Sequence, residues 1–429
     1  MVNRLSVKSL FKNPYIFSII TKIILVILGI LHASLLARYL GATLKGEIAY
    51  IQGVVDIISI VIAFGLQDAY TYYRRRDISD NFLSRFMNTT ILIFVLNLAI
   101  SIVLFIFLKE YNFVIFASFL IAPIWGYNRI VTVVYLVESP NRRNLFLVFF
   151  SLAEIALLVI LFIHTKPTIV YGLVCILFAE TLKTIVFSVF IRFKVSLRLI
   201  DFKIIGKCLA FGALPMIALL FTMLNYKIDI FMLKMSPNIT YANIGIYSVG
   251  VALAEKTLLL PDSMKEILLY NLSNGKSEEE VSKISRVSFF ISIVAAVIIS
   301  ALAYPFIWLL YGVEYIDSFV IVLISIIGMA FMVFFKMISQ YNIIKKMHLA
   351  NLLLLSVSIA LNCGLNLIFI PLMSINGAAL ATLISHIICA FLFIIYFNKK
   401  TGQKIKDVIF IKRIDFSLIK SFFLKRNQN

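Results

Sequence analysis

The stretch IIGKCLAFGALPMIALLFTMLNYKIDIFML, residues 204–233, decides the reading of this chain. It is long and apolar enough to cross ~30 Å of hydrocarbon. It carries Gly212 and Pro215, and near its end it sets Asn225, Tyr226, Lys227 and Asp229 among apolar residues. A charge inside a membrane-length segment is costly, so it marks a functional site by default. Lys227 and Asp229 point about 160° apart around a helix, so one cleft cannot receive both. Asp229 shares its face with Thr222 and Asn225 and is the expected cleft residue. Lys227 reads either as a cleft cation or as one that snorkels outward.

The rest of the chain has the same character. Hydrophobic residues make up 62 % and charged ones 14 %, with a mean hydropathy of +1.00, a balance that a soluble core cannot hide. Apolar runs fall at 15–37, 47–67, 87–108, 113–136, 145–163, 168–191, 206–233, 244–260, 287–310, 318–338, 350–370 and 377–397. They predict an all-α polytopic protein with about twelve transmembrane helices. With the N-terminus inside, 29 of the 40 Lys and Arg residues lie on inner segments and five on outer loops, the bias that sets orientation in membranes. Both termini are therefore expected on the cytoplasmic side. The net charge of +19 is topology and excludes no partner but nucleic acid. Four scattered cysteines and four scattered histidines give neither a disulfide framework nor a metal site, and no cofactor is implied.

The expected organisation follows. Residues 1–14, with Arg4, Lys8 and Lys12 at helical spacing, form a basic amphipathic segment, and the first apolar run lacks a cleavage site and is retained. A first six-helix bundle covers 15–191, a basic cytoplasmic linker 192–205, a second bundle 206–397, and a basic amphipathic tail 398–429 lies along inner headgroups. Ser277 and Glu280 read as a capping box. The bundles look like two copies of one unit: Gly46 matches Gly245 and Asp56 matches Glu255, both 199 residues on, while Gly172 matches Gly377, 205 on. Six spans is an even number, so the copies would be related by a pseudo-two-fold axis along the membrane normal.

At NCGLNLIFIP (362–371), NGAALATLIS (376–385), FGALP (211–215), Asp229, GIY (245–247) and ALAE (252–255) the chain resembles the polysaccharide-transport branch of the multidrug/oligosaccharidyl-lipid/polysaccharide (MOP) exporter superfamily. The resemblance covers nearly the whole chain. It implies a MATE- or MurJ-like fold and a Wzx-type flippase, not an enzyme, that moves an undecaprenyl-pyrophosphate-linked oligosaccharide for O-antigen or capsule assembly across a bacterial inner membrane. It also implies H⁺ or Na⁺ as coupling ion, with polymerase and chain-length proteins of the same pathway as possible partners.

The residues support that chemistry independently. An anionic, hydrated head needs a wet cationic cleft. Lys22 shares its face with Ser18, Gly29 and Ala33, and Arg129 with Ala122, Gly126 and Thr132. Both are cleft candidates, together with Lys183, which can also pair with Glu180 one turn away, and Lys227. Lys256 and Lys336 read as snorkelling to inner headgroups. Asp56, Glu154, Glu180, Asp229 and Glu255 are the ion-coupling candidates, because carboxylates without a fixed partner take up protons readily; the alternative for Asp56, Glu154 and Glu255 is a paired carboxylate that holds a neighbouring helix. Asp56 is preferred, since Gln52 and Ser59 keep its face wet, and Glu154 stands alone in mid-span. Gln52, Asn225, Asn362 and Asn366 are the polar cleft residues, although Ser358, Asn362 and Asn366, spaced by four, equally suit hydrogen bonds between helices. Two rival classes are a multidrug exporter of the same fold and a membrane-embedded glycan polymerase. The first should favour acidic cleft residues, and the second a large charged loop.

Overall fold

A computed structural model of the chain describes residues 14–74, 80–108, 113–191, 193–273 and 277–415. The basic N-terminal segment with Arg4, Lys8 and Lys12, the inner-loop residues Arg75 and Arg76, and the tail beyond Asp415 lie outside the described residues. Those described form helices and no strand: α1 (Pro14–Ala63), α2 (Leu66–Arg74), α3 (Asp80–Leu108), α4 (Phe113–Glu138), α5 (Pro140–His164), α6 (Ile169–Phe190), α7 (Phe202–Met235), α8 (Tyr241–Ala254), α9 (Leu259–Ser273), α10 (Glu278–Leu310), α11 (Ser318–Ile344), α12 (His348–Thr401) and α13 (Ile405–Ile409). Ten helical tracts among them are long and apolar enough to cross a membrane, with α8 and α9 joined by a 3₁₀ turn (Glu255–Leu258) into one tract. Two tracts are double. α1 is interrupted at Gly41 (φ 71°) and α12 at Ser374 (φ 55°). Each has two membrane-length arms, so the twelve spans of the sequence reading are present, with the expected loops at 38–46 and 371–376 reduced to single non-helical residues.

The second break has a visible cause. Pro371 cannot donate to the carbonyl one turn back, and at Gly377 an added Cβ would lie 2.0 Å from the Phe369 carbonyl oxygen. Only a glycine lets the arms of α12 turn this tightly. Large apolar side chains such as Phe107, Ile163, Val189, Leu302 and Leu372 stand exposed on the helices, as they do where lipid is the solvent. The protein is a multi-pass membrane protein.

The described residues form two compact units, divided between Leu220 and Phe221, within α7. In the first, α4 is central and packs against α1, α3, α5 and α6. Gly126 permits the approach to α1, since a Cβ there would meet the Ser59 carbonyl at 3.1 Å. The far end of α4 is fastened by Glu138, which accepts Arg74 Nε at 2.7 Å, Arg74 Nη2 at 3.0 Å and the Tyr70 hydroxyl at 2.5 Å. Two apolar clusters fill the unit, one around Tyr70, Phe86, Tyr135 and Phe187, the other around Ile48, Val55, Ile121 and Leu158. The segment 193–201 is held by α3 through side chains: Asn88 donates to the Lys194 carbonyl (2.7 Å) and accepts from the Ser196 amide (2.9 Å), Ser84 accepts from the Lys194 amide (3.2 Å), and Thr89 from the Asp201 amide (3.0 Å).

In the second unit α11 takes the central place, against α8, α9, α10 and α12. α4 and α11 are each the fourth span of their half, so the internal repeat extends to packing. After Thr401 the chain turns at Gly402 (φ 73°) and runs back along the start of α10. There Arg286 donates to both carboxylate oxygens of Asp415 (2.5 and 2.7 Å) and to the Asp407 carbonyl (2.9 Å). One local expectation is corrected. Ser277 is the N-cap of α10, but its side chain makes no capping bond, and the Glu280 side chain accepts from Asn271 (3.0 Å). A capping box forms at Thr240 and Asn243, ahead of α8.

Candidate functional site

Two polar clusters of the first unit contain site residues expected from the sequence. On the second arm of α1, Asp56 accepts Arg129 Nη2 at 2.6 Å, while Arg129 Nε donates to Ser59 Oγ at 2.9 Å. The pair is mostly buried, with 12 % of the Asp56 side chain and 24 % of the Arg129 side chain exposed. The sequence assigned these residues separate tasks, yet the structure joins them, so the premise that Asp56 lacks a fixed partner does not hold. A helical wheel gives a residue's bearing on its own helix and says nothing of what the next helix presents.

The other cluster lies between α4, α5 and α6. Glu180 accepts Lys183 Nζ (2.6 Å) and Asn128 Nδ2 (2.7 Å), and Thr184 donates to Asn128 Oδ1 (3.0 Å). The pairing read from the spacing of Glu180 and Lys183 is present. Glu154 is not alone, since His32 Nε2 on α1 stands 3.3 Å from its carboxylate. Sequence reasoning passed over His32 because nothing in the chain's order ties residue 32 to residue 154. Gln52 is half-buried, and Lys22 is exposed on the first arm of α1.

The second unit holds a larger network. Asp229, 2 % exposed, accepts the Tyr247 hydroxyl and the Ile230 amide (2.9 Å), with Thr382 Oγ1 at 3.4 Å. Asn362 Nδ2 reaches Thr382 Oγ1 (3.2 Å) and Ser385 Oγ (2.9 Å), and Asn366 Nδ2 donates to Asn362 Oδ1 (2.6 Å). One turn from Asp229, Asn225 accepts from Ser358 (2.7 Å) and donates to Met332 Sδ (3.9 Å), and its carbonyl meets His386 Nε2 (3.2 Å). Asn366 Oδ1 and His386 Nδ1 are buried with no partner. Among the described residues no cation pairs with Asp229, which distinguishes it from Asp56 and Glu180. Asn225, Asn362 and Asn366 belong to the network around Asp229, and Tyr247, Thr382, Ser385 and His386 are the members missed. The apolar spacing of 378–390 hid Thr382, Ser385 and His386, since single polar residues on a buried helix carry no pattern.

Three lysines need correction or placement here. Lys336 does not snorkel: its Nζ turns inward to Asp262 Oδ1 at 2.7 Å, and 15 % of its side chain is exposed. Lys227 is half-buried on α7, and Glu255 and Lys256 are half-buried on the 3₁₀ turn. Among the described residues no group of three His, Cys, Asp or Glu side chains could hold a metal ion.

Comparison with solved structures decides the fold. The lipid II flippase MurJ in an inward closed conformation matches 96 % of this chain and 94 % of its own, with a TM-score of 0.70 at 19 % identity. An inward-facing MATE-family multidrug resistance transporter of the MOP superfamily matches 88 % of this chain and 94 % of its own, at 0.68 and 12 %. The chain has the MATE/MurJ fold. A MOP-superfamily transporter from Pyrococcus furiosus Vc1, described for the reversed polarity of its binding pocket, shares that fold over 90 % of this chain and 94 % of its own, at 0.59 and 13 %. No protein-family profile and no curated protein sequence matches the chain. Within the MATE/MurJ fold, each polar cluster described above lies inside one half of the chain.

Proposed function

We propose that the protein is a flippase that carries an undecaprenyl-pyrophosphate-linked oligosaccharide across a bacterial inner membrane by alternating access, with both termini cytoplasmic and with H⁺ or Na⁺ as the coupling ion. The observation that supports it most is Arg129, a guanidinium kept within the span of α4 by a carboxylate partner, in a chain that shares the fold of a lipid II flippase over 96 % of its length. A guanidinium offers planar donors matched to phosphate oxygens, and two bonds to Asp56 and Ser59 leave others to give. Lys22 and Lys183 are the further cations of this reading.

Coupling is assigned to Asp229 in place of Asp56. A carboxylate buried without a cation is costly to leave charged, and a proton or a bound monovalent cation removes that cost. The Thr382 hydroxyl beside Asp229, 3.4 Å away, is a hard, neutral oxygen donor of the kind such an ion takes. The polymerase and chain-length proteins of a glycan pathway are the partners expected of this reading. Reconstituted into liposomes with a fluorescent polyprenyl-pyrophosphate oligosaccharide, the protein should move label to the opposite leaflet, faster under an ion gradient. The carboxylates of the first unit favour a second reading, a MATE-like exporter of cationic drugs. Gradient-driven drug uptake without lipid movement would replace the first reading by the second.

A further inference from the structure

We propose that Lys336, Asp262 and Tyr226 form a second anion-binding site, in the second half of the chain, where a phosphate oxygen displaces the Asp262 carboxylate from Lys336. The ligand class rests on the flippase reading above, and the site itself rests on three observations.

The pair is asymmetric. Of the Lys336 side chain 15 % is exposed, and of the Asp262 side chain 45 %. The cation is fixed inside while its counter-ion stands at the edge. On release Asp262 regains solvation that Lys336 cannot reach, so the lysine must keep an anion and the carboxylate need not be that anion. A purely structural tie between α9 and α11 has no use for this inequality.

A third group waits at the same place. The Tyr226 hydroxyl is buried and has no hydrogen-bond partner, and Lys336 Nζ lies 5.9 Å from the centroid of its ring. An unpaired buried hydroxyl is unfavourable and calls for an explanation. A phosphate that accepts from Lys336 Nζ through one oxygen has others that can accept from the Tyr226 hydroxyl, whereas the Asp262 carboxylate at the edge leaves that hydroxyl without a partner.

The repeat supplies the third observation. Lys336 and Arg129 each sit on the fourth span of their half, eight and nine residues before its end, and Asp262 and Asp56 each sit on the second. The cations are 207 residues apart and the carboxylates 206. One buried ion pair between two helices could arise from packing alone. Its recurrence at matched positions, with a lysine where the first half has an arginine, indicates that these positions require a positive charge and not one shape of hydrogen bond. The two halves thus carry a cation at matched positions, Arg129 in the first and Lys336 in the second.

The test is a binding titration of the full chain in nanodiscs with polyprenyl pyrophosphate, against the polyprenyl alcohol of equal length. The parent should prefer the pyrophosphate. Lys336→Gln should weaken that binding by about tenfold or more, the scale of a lost charge-assisted contact. Asp262→Asn removes the competing anion and should tighten it, by ~3–10-fold. If the pair is only a structural tie, Asp262→Asn weakens binding or leaves it unchanged, and either result overturns the proposal. Should Lys336→Gln fail to give monodisperse protein, the direction of the Asp262→Asn effect decides alone. A parent that binds pyrophosphate no better than alcohol instead overturns the flippase reading on which the ligand rests.

Discussion

At the scale of single residues, Asp56 and Asp229 are two buried carboxylates with opposite surroundings. Asp56 faces a guanidinium and Asp229 faces hydroxyls and an amide, so they should respond differently to loss of charge. Arg129→Met takes the guanidinium away from the buried Asp56 carboxylate and should cost roughly 3–5 kcal/mol, whereas Arg129→Met with Asp56→Leu should recover most of that, since an apolar replacement of a buried pair is often neutral. Thermal unfolding of the two variants in detergent measures the difference, and equal destabilisation would refute it. Asp229→Asn keeps the shape of the cluster and removes its charge. It should leave abundance near the parent level and abolish the acceleration of lipid movement by an ion gradient, while slow downhill movement persists. An Asn variant that answers the gradient as the parent does would return the search to Glu154 and Glu180.

How far the sequence reaches is clear from the same residues. Faces, spans and the charges within them were legible, because hydrophobic periodicity reports burial on one helix. Pairings across helices were not. Asp262 was missed because the glycine register, Gly46 to Gly245, equates Asp56 with Glu255, whereas the carboxylate that meets a cation in the second half lies seven residues further on. Seven residues are two turns, so the face is kept and the depth changed, and the 3₁₀ turn at Glu255–Leu258 lies between.

At the scale of elements, the returning segment after α12 behaves as a clip on α10. Burial acts to raise the Asp415 carboxyl, but the hydrogen bonds from Arg286 and the Lys412 amide, with the charges of Arg286 and Lys283, outweigh it and hold the group below its usual range. A carboxyl lowered by folding stabilises the docked segment fully above its unfolded value, ~3.9, and that contribution is lost as pH falls through the folded value. The protection of amides over 405–415, measured against the intrinsic exchange rate at each pH, should therefore be high at pH 5 and fall toward pH 3. Asp415→Asn should abolish that pH dependence and expose the segment at both, because Arg286 would be left buried without its anion. Gly377→Ala is the matching test for α12. With the Phe369 carbonyl 2.0 Å from the added Cβ, the backbone has to move, and a loss of stability of about 1–3 kcal/mol is expected.

For the whole molecule, the twelve-span arrangement makes a topological prediction that the chain's own cysteines do not obscure. Cys175, Cys208 and Cys389 are buried and Cys363 is half-buried, so an introduced thiol at an exposed loop position should dominate labelling. Lys166→Cys should react with an impermeant maleimide in intact cells, and Arg142→Cys only after permeabilisation. The reverse pattern would invert the orientation inferred from the Lys and Arg bias.

The fastening of 193–201 to α3 also bears on the order in which the protein is made. Ser84, Asn88 and Thr89 take up the main-chain groups of that segment, and Gly212 closes onto the turn at Gly65, where a Cβ would lie 2.4 Å from the Phe64 carbonyl. The stretch that makes up the first compact unit is complete at Leu220. Once further synthesis has pushed that stretch clear of the ribosome, it can pack while much of the second half is still untranslated, so the first half can mature while the second is being inserted.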